Sequence, residues 1–208
     1  MPHTSQLEIE RKYDVDEETL PPALVGVGAI AVEGEPTTDE LVATYLDTAG
    51  LDLARARIAV RARSGGGDEG WHVKLAPEEE GRRELHWPLG DGTTPPAELV
   101  QAVREHLPEG VALELTPLAR IRNTRVTVLL QDAAGFDLAE LCDDHVHGEN
   151  LRTGHSDAWR EWEVELLSGA PDTREGRTAL LDGIEARLLE AGARHAATAS
   201  KLQRALGL

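Results

Sequence analysis

A chain of 208 residues carries 38 Asp and Glu against 21 Lys and Arg, a formal net charge of -17. That balance excludes the broad basic surface of a nucleic-acid binder and argues against anionic membrane surfaces. Aromatic residues are 3% of the chain, too few for base-stacking platforms, and a single cysteine, Cys142, rules out an internal disulfide.

Leu7 to Tyr13 alternates with period two and predicts a strand. Its one face carries Glu8, Glu10 and Lys12, its other Leu7, Ile9, Arg11 and Tyr13. A short helix is predicted to begin near Asp16, ahead of Pro21-Pro22. Ala43 to Thr48 and Arg57 to Arg63 read as strands, the second ended by Ser64-Gly65-Gly66-Gly67. Trp71 to Leu75 then completes a hairpin, and Arg83 to Leu89 alternates again. A helix follows from about Pro96 to His106. Leu118 to Gln131 and Asp137 to Val146 form the next hairpin, and Trp159 to Leu167 is a strongly alternating strand. Asp172 to Leu206 has helical spacing of Leu and Ala, with Gly192 dividing it in two. About eight strands, mostly hairpin-connected, predict an antiparallel sheet with three to five helices in an α+β fold. The expectation is one domain over 1–208, cytoplasmic, with no leader pattern and no membrane span.

The charged faces carry the chemistry. Glu8, Glu10 and Lys12 share one side of a strand, as do Arg61 and Arg63, and as do Glu161, Glu163 and Glu165. Like charges at such spacing weaken a strand unless opposite charge faces them. A metal ion, or an Arg and Lys array across a barrel, supplies that charge. The carboxylates are hard oxygen ligands for Mg²⁺ or Mn²⁺. Arg and Lys meet phosphate oxygens, bidentate and as point charges. Lys74, Arg122, Arg125, Asp144 and Lys201 gain meaning from the same pattern. His145, His147 and His155 lack the Cys partners of a common zinc motif, and Cys142 suits a small buried side chain.

Glu8-Ile9-Glu10-Arg11-Lys12 fits the ExExK signature of the CYTH superfamily, the triphosphate tunnel metalloenzymes. Tyr45-Leu46-Asp47-Thr48, Arg61-Ala62-Arg63, Gly70 to Leu75, Glu161 to Glu165 and Ser200-Lys201 follow in matching order, so the resemblance covers nearly the whole chain. It is similar to the CYTH portion of bacterial proteins that often continue into a CHAD domain. The resemblance implies an eight-stranded antiparallel β-barrel forming a tunnel, with flanking helices. It implies that Glu8 and Glu10 are metal-associated acids and Lys12 a phosphate-facing lysine. Arg61 and Arg63 match the paired triphosphate-gripping arginines, and Lys74 a lysine on the next strand. Arg125 matches a later tunnel arginine, with Arg122 the alternative. Asp144 matches an acid near the metal or the water, and Glu163 and Glu165 the late acidic pair, with Glu161 on their face. Lys201 resembles a C-terminal lysine that closes over the tunnel. The long segment between Asp144 and Glu161 departs from the pattern.

The expected function is metal-dependent hydrolysis of a triphosphate, inorganic tripolyphosphate first, with Mg²⁺ or Mn²⁺. Catalytic roles fall to Glu8, Glu10, Lys12, Arg61, Arg63 and Lys74. The alternatives are a class IV adenylate cyclase, a thiamine triphosphatase, or a module that holds polyphosphate without cleaving it. The expected partner is the triphosphate or polyphosphate anion, with homodimerisation left open. No Walker A or covalent-nucleophile arrangement is present.

Overall fold

Nearly every strand alternates apolar with charged or polar side chains, so the two faces of the resulting wall differ in character. The computed structural model describes residues 3–207. In chain order the elements are β1 (Thr4–Glu8), β2 (Glu10–Val15), β3 (Val32–Glu33), β4 (Thr37–Asp47), α1 (Asp52–Arg55), β5 (Ala59–Ser64), β6 (Gly70–Lys74) and β7 (Arg82–Trp87). Then come α2 (Ala97–Arg104), β8 (Thr116–Gln131), β9 (Asp137–Asn150), β10 (Ser156–Leu166), α3 (Arg174–Glu190), β11 (Arg194–His195) and α4 (Lys201–Leu206).

The sheet runs β1-β7-β6-β5-β4-β8-β9-β10-β2, with β11 beside β2 and β3 beside β8. Its pairings are antiparallel. β1 and β2 stand at opposite ends of this path, yet only Ile9 separates them in the chain. The first strand thus pairs with β7 through Thr4–Glu8 and with β10 through Glu10–Val15. The path returns to its start. Its nine segments, with β1 and β2 counted as one strand, make the eight-stranded antiparallel barrel with flanking helices. Closure leaves no unpaired edge along the wall.

Three local expectations are corrected. No helix forms at Asp16. A single turn is closed by Thr19 N–H donating to the Asp16 carbonyl at 3.0 Å, and Pro21-Pro22 then blocks helical continuation. The strand expected from Arg57 starts at Ala59, because Arg57 adopts φ 60 after the unforeseen α1. β9 runs on to Asn150, so the segment between Asp144 and Glu161 is an ordinary hairpin. It brings those two residues directly opposite each other.

Two of the three apolar clusters lie outside the barrel, between wall and helices. On β10, Trp162 and Val164 turn outward and pack with Tyr13, Leu180, Leu181, Ile184 and Leu188. Those four α3 residues contribute roughly 1.5–3 kcal/mol each by burial, which holds a helix of marginal intrinsic stability. Thr173 caps it, its hydroxyl accepting from Gly176 N–H. Across the barrel, Val60, Val73, Trp71 and Trp87 pack under Leu99 and Val103 of α2. A third cluster lies inside the wall, where Trp159, Ile121 and Val146 meet Ala205 of α4. With the first two clusters committed outward, period two sends the charged set inward.

Candidate active site

The barrel encloses a cavity of about 450 Å³. Glu8, Glu10, Lys12, Arg61, Arg63, Lys74, Arg125, Glu163, Glu165 and Lys201 all line it. Register sets opposite charges side by side on neighbouring strands. Lys12 lies across from Glu163, Lys74 from Glu84, and Arg125 from Asp144. Asp144 and Glu161 are buried behind the lining, in contact with Lys201. Arg122 does not reach the cavity. Ile121, Asn123 and Arg125 point inward, so Arg122 is turned to the exposed outer face, opposite Val42 and His147. The register alternative to Arg125 is thereby overturned.

The cations divide into two groups. Lys12 donates to Glu10 Oε2 at 2.8 Å and contacts Glu163. Arg125 grips Asp144 with Nε at 2.7 Å and Nη2 at 2.6 Å, and also donates to Glu163. Lys74 donates to Glu8 Oε2 at 2.6 Å. The two arginines of β5 are less well matched. Arg61 reaches Tyr45 Oη at 3.3 Å and Glu84 Oε1 at 3.5 Å, and its buried Nε has no partner. Arg63 is 6% exposed, its Nε also lacks a partner, and its counterion is Asp68 on the solvent-exposed β5–β6 loop. Burial, then Arg61 and Arg125, pull its pKa down to about 9. Arginine keeps its proton in proteins, so the lowered pKa registers as a buried charge short of counter-charge.

The acids respond to the same crowding. Burial, then a hydrogen bond with Glu84, raises Glu8 to about 8. Against the cost of its own burial, Lys74 and Arg61 hold Glu84 far below the usual carboxylate range. Burial first, with Glu10 and Glu140 adding repulsion against the pull of Lys74, lifts Glu165 to about 7. Burial also dominates at Glu161 and raises it, whereas at Asp144 it is outweighed by Lys201 and Arg125. His72 is lowered to about 4 by burial. Its Nδ1 lies 2.7 Å from Glu84 Oε1 and its Nε2 3.0 Å from the Asp68 carbonyl. The neutral ring has one N–H and donates to only one of them.

Asp144, Glu161 and Glu163 offer carboxylate oxygens within 4.8 Å of one another, the sole such cluster among the described residues. This hard-oxygen set fits Mg²⁺ or Mn²⁺. No comparable grouping forms at His145, His147 and His155 among the described residues. Glu8 and Glu10 direct oxygens at lysines instead.

Sequence reasoning missed Glu84, His72, Tyr45 and Asn123. Glu84 is 3% exposed and sits among Arg61, Lys74 and His72. Its signal was the Arg82-x-Glu84-x-His86 alternation on a strand read only for its boundaries. Asn123, which donates to Asp144 Oδ1 at 2.8 Å, shares the parity of Arg125. Cys142 is buried as expected, and burial pushes its thiol far up, so it is no nucleophile.

An antiparallel barrel with acids and bases facing one cavity is a tunnel-type fold. The chain belongs to the CYTH family, whose domain matches residues 6–192. Over 97% of its length it is 39% identical to an uncharacterized protein of Mycobacterium tuberculosis strain H37Rv, and the chain spans 40% of that relative. An uncharacterized protein of strain CDC 1551 matches equally. Among solved structures, a candidate adenylate cyclase from Bacillus halodurans aligns with a TM-score of 0.61 at 21% identity, covering 96% of this chain and 97% of that one. A candidate adenylyl cyclase from Hippeastrum, described as having a dominant triphosphatase activity, gives 0.54 at 19% identity over 97% and 96%. A Pyrococcus horikoshii protein gives 0.55 at 15% identity over 96% and 98%. At these identities the likeness is one of fold. No helix among the described residues is long and apolar enough to cross a membrane.

Proposed function

We propose that the chain is a divalent-metal-dependent triphosphatase acting on inorganic tripolyphosphate or a close analogue. The carrying observation is the Arg61–Arg63 pair, whose buried Nε donors lack partners beside a cavity lined by further cations. An extended polyanion with several oxygens along its length fits that row better than a single carboxylate does. In this reading Arg61 and Arg63 orient the phosphates through their planar forks. Lys12, Lys74 and Arg125 neutralise charge as the terminal phosphoryl group departs. Asp144, Glu161 and Glu163 would hold the ion, which supplies Lewis acidity and a more acidic water. Phosphoryl transfer asks mainly for positioning and charge, and no covalent nucleophile is needed.

The adenylate cyclase reading is kept alive by the names of two structural neighbours. Leu41, Ala43, Ile121 and Leu202 give the cavity an apolar stretch that a base could meet. Phosphate release and cyclic AMP are measured from tripolyphosphate, ATP and thiamine triphosphate with Mg²⁺ or Mn²⁺. Phosphate from tripolyphosphate is the expected product. Cyclic AMP with pyrophosphate transfers the assignment to the cyclase. Tight anion binding without turnover leaves a polyphosphate-holding module.

A further inference from the structure

The three carboxylates that suit a metal ion already surround a cation. Lys201 Nζ lies 2.7 Å from Asp144 Oδ2, 2.6 Å from Glu161 Oε1 and 2.7 Å from Glu163 Oε1. Its side chain is only 11% exposed. An ammonium with three donors, each aimed at one carboxylate, occupies the space where those oxygens converge. A divalent ion needs the same oxygens at about 2–2.6 Å, and two cations cannot share them without strong repulsion.

Lys201 is also the first residue of α4, the helix that packs against β8, β9 and β10 at one side of the cavity. Ser200 caps that helix, its hydroxyl accepting from Gln203 N–H. Elsewhere α4 is held by Ala205, seated against Gly148, and by Arg204, which donates to Asp14 Oδ1 at 2.7 Å. A six-residue helix has little stability of its own, so its position depends on these anchors. Of them, only Lys201 bears directly on the acids.

We propose that Lys201 and a divalent ion compete for the Asp144–Glu161–Glu163 carboxylates, so that metal loading frees the lysine head and loosens α4. The freed ammonium stays on the cavity lining and becomes available to an anion. Loading with metal and opening of the α4 side are thereby coupled events. This inference rests on the carboxylate trio being the metal site of the proposed function.

The test titrates Mn²⁺ alone into the full chain and into Lys201→Met, which keeps an apolar stem and removes the charge. Free Mn²⁺ is followed by electron paramagnetic resonance. The variant is expected to bind Mn²⁺ on the order of tenfold more tightly than wild type. In wild type, Mn²⁺ is expected to speed hydrogen exchange across residues 201–206. Equal or weaker Mn²⁺ binding by the variant overturns the proposal, as does unchanged or slower exchange in wild type. If neither protein binds Mn²⁺, the trio is not a metal site and the latch falls with it. Metal-free tripolyphosphate binding is measured in parallel. Its absence defeats the anion-tunnel reading, whereas its presence together with Mn²⁺ binding that the variant does not tighten defeats the latch alone.

Discussion

At the scale of single residues, Arg63 shows how the proposed anion grip and stability oppose each other. A guanidinium that is 6% exposed, crowded by two other cations, with an unpartnered Nε, destabilises the ligand-free chain. Arg63→Met should therefore raise the melting temperature of the ligand-free protein, by about 1–2 kcal/mol or about 2–8 °C. The same change should weaken tripolyphosphate binding at least tenfold by calorimetry. A variant that melts lower and binds normally would remove Arg63 from the site. His72 makes a pH-dependent contribution of definite sign. The unfolded imidazole takes its proton near 6.5, the native one near about 4. Between those values the unfolded state binds more protons, so stability is complete above pH 6.5 and is lost as pH falls. Going from pH 7 to pH 5 should cost wild type about 2 kcal/mol through this group. Denaturant unfolding of His72→Gln should lack that share, and parallel pH profiles for the two proteins would contradict the assignment.

At the scale of elements, hairpin geometry delivers the charges. The β5–β6 turn begins at Gly65, with φ 85, where an added Cβ would lie 2.1 Å from the Glu40 carbonyl oxygen. Both the backbone conformation and the close approach require glycine there. Gly65→Ala should cost about 2 kcal/mol or more and displace the loop that carries Asp68 onto Arg63. Urea unfolding checks the first effect, and a stability within about 0.5 kcal/mol of wild type would contradict it. The β9–β10 hairpin does the corresponding work for the acids. Its register sets Asp144 opposite Glu161, and its length explains the segment that looked anomalous in sequence.

At the scale of the whole molecule, a net charge of -17 coexists with an interior that collects cations. The local field between the walls of such a cavity acts on a small ion more than the distant surface does. An anion that binds only the folded barrel stabilises it by mass action. At about 100 times its Kd, tripolyphosphate should add about 2.7 kcal/mol, which raises the melting temperature about 5–10 °C. Scanning fluorimetry with and without tripolyphosphate measures this. A flat response would leave the charged interior as a structural network of ion pairs.

Alternation alone placed Glu8, Glu10 and Lys12 on one face, and Glu161, Glu163 and Glu165 on another, because side-chain direction in a strand follows local period two. It also located most strands, and glycine's helix-ending habit marked the break at Gly192, although the helix expected beyond it begins only at Lys201, after β11. The resemblance of the ExExK motif and its ordered companions carried the barrel. Which charges meet was decided by tertiary structure. Sequence left Arg122 and Arg125 as rivals, and only the register of β8 against β4 and β9 turned one out and one in. Glu84 became central through pairing with β6, and Lys201 came to rest among three carboxylates through the docking of α4. Parity is a property of neighbours along the chain, whereas register and docking come from contacts between residues far apart in it. Those contacts exist only once the barrel has closed.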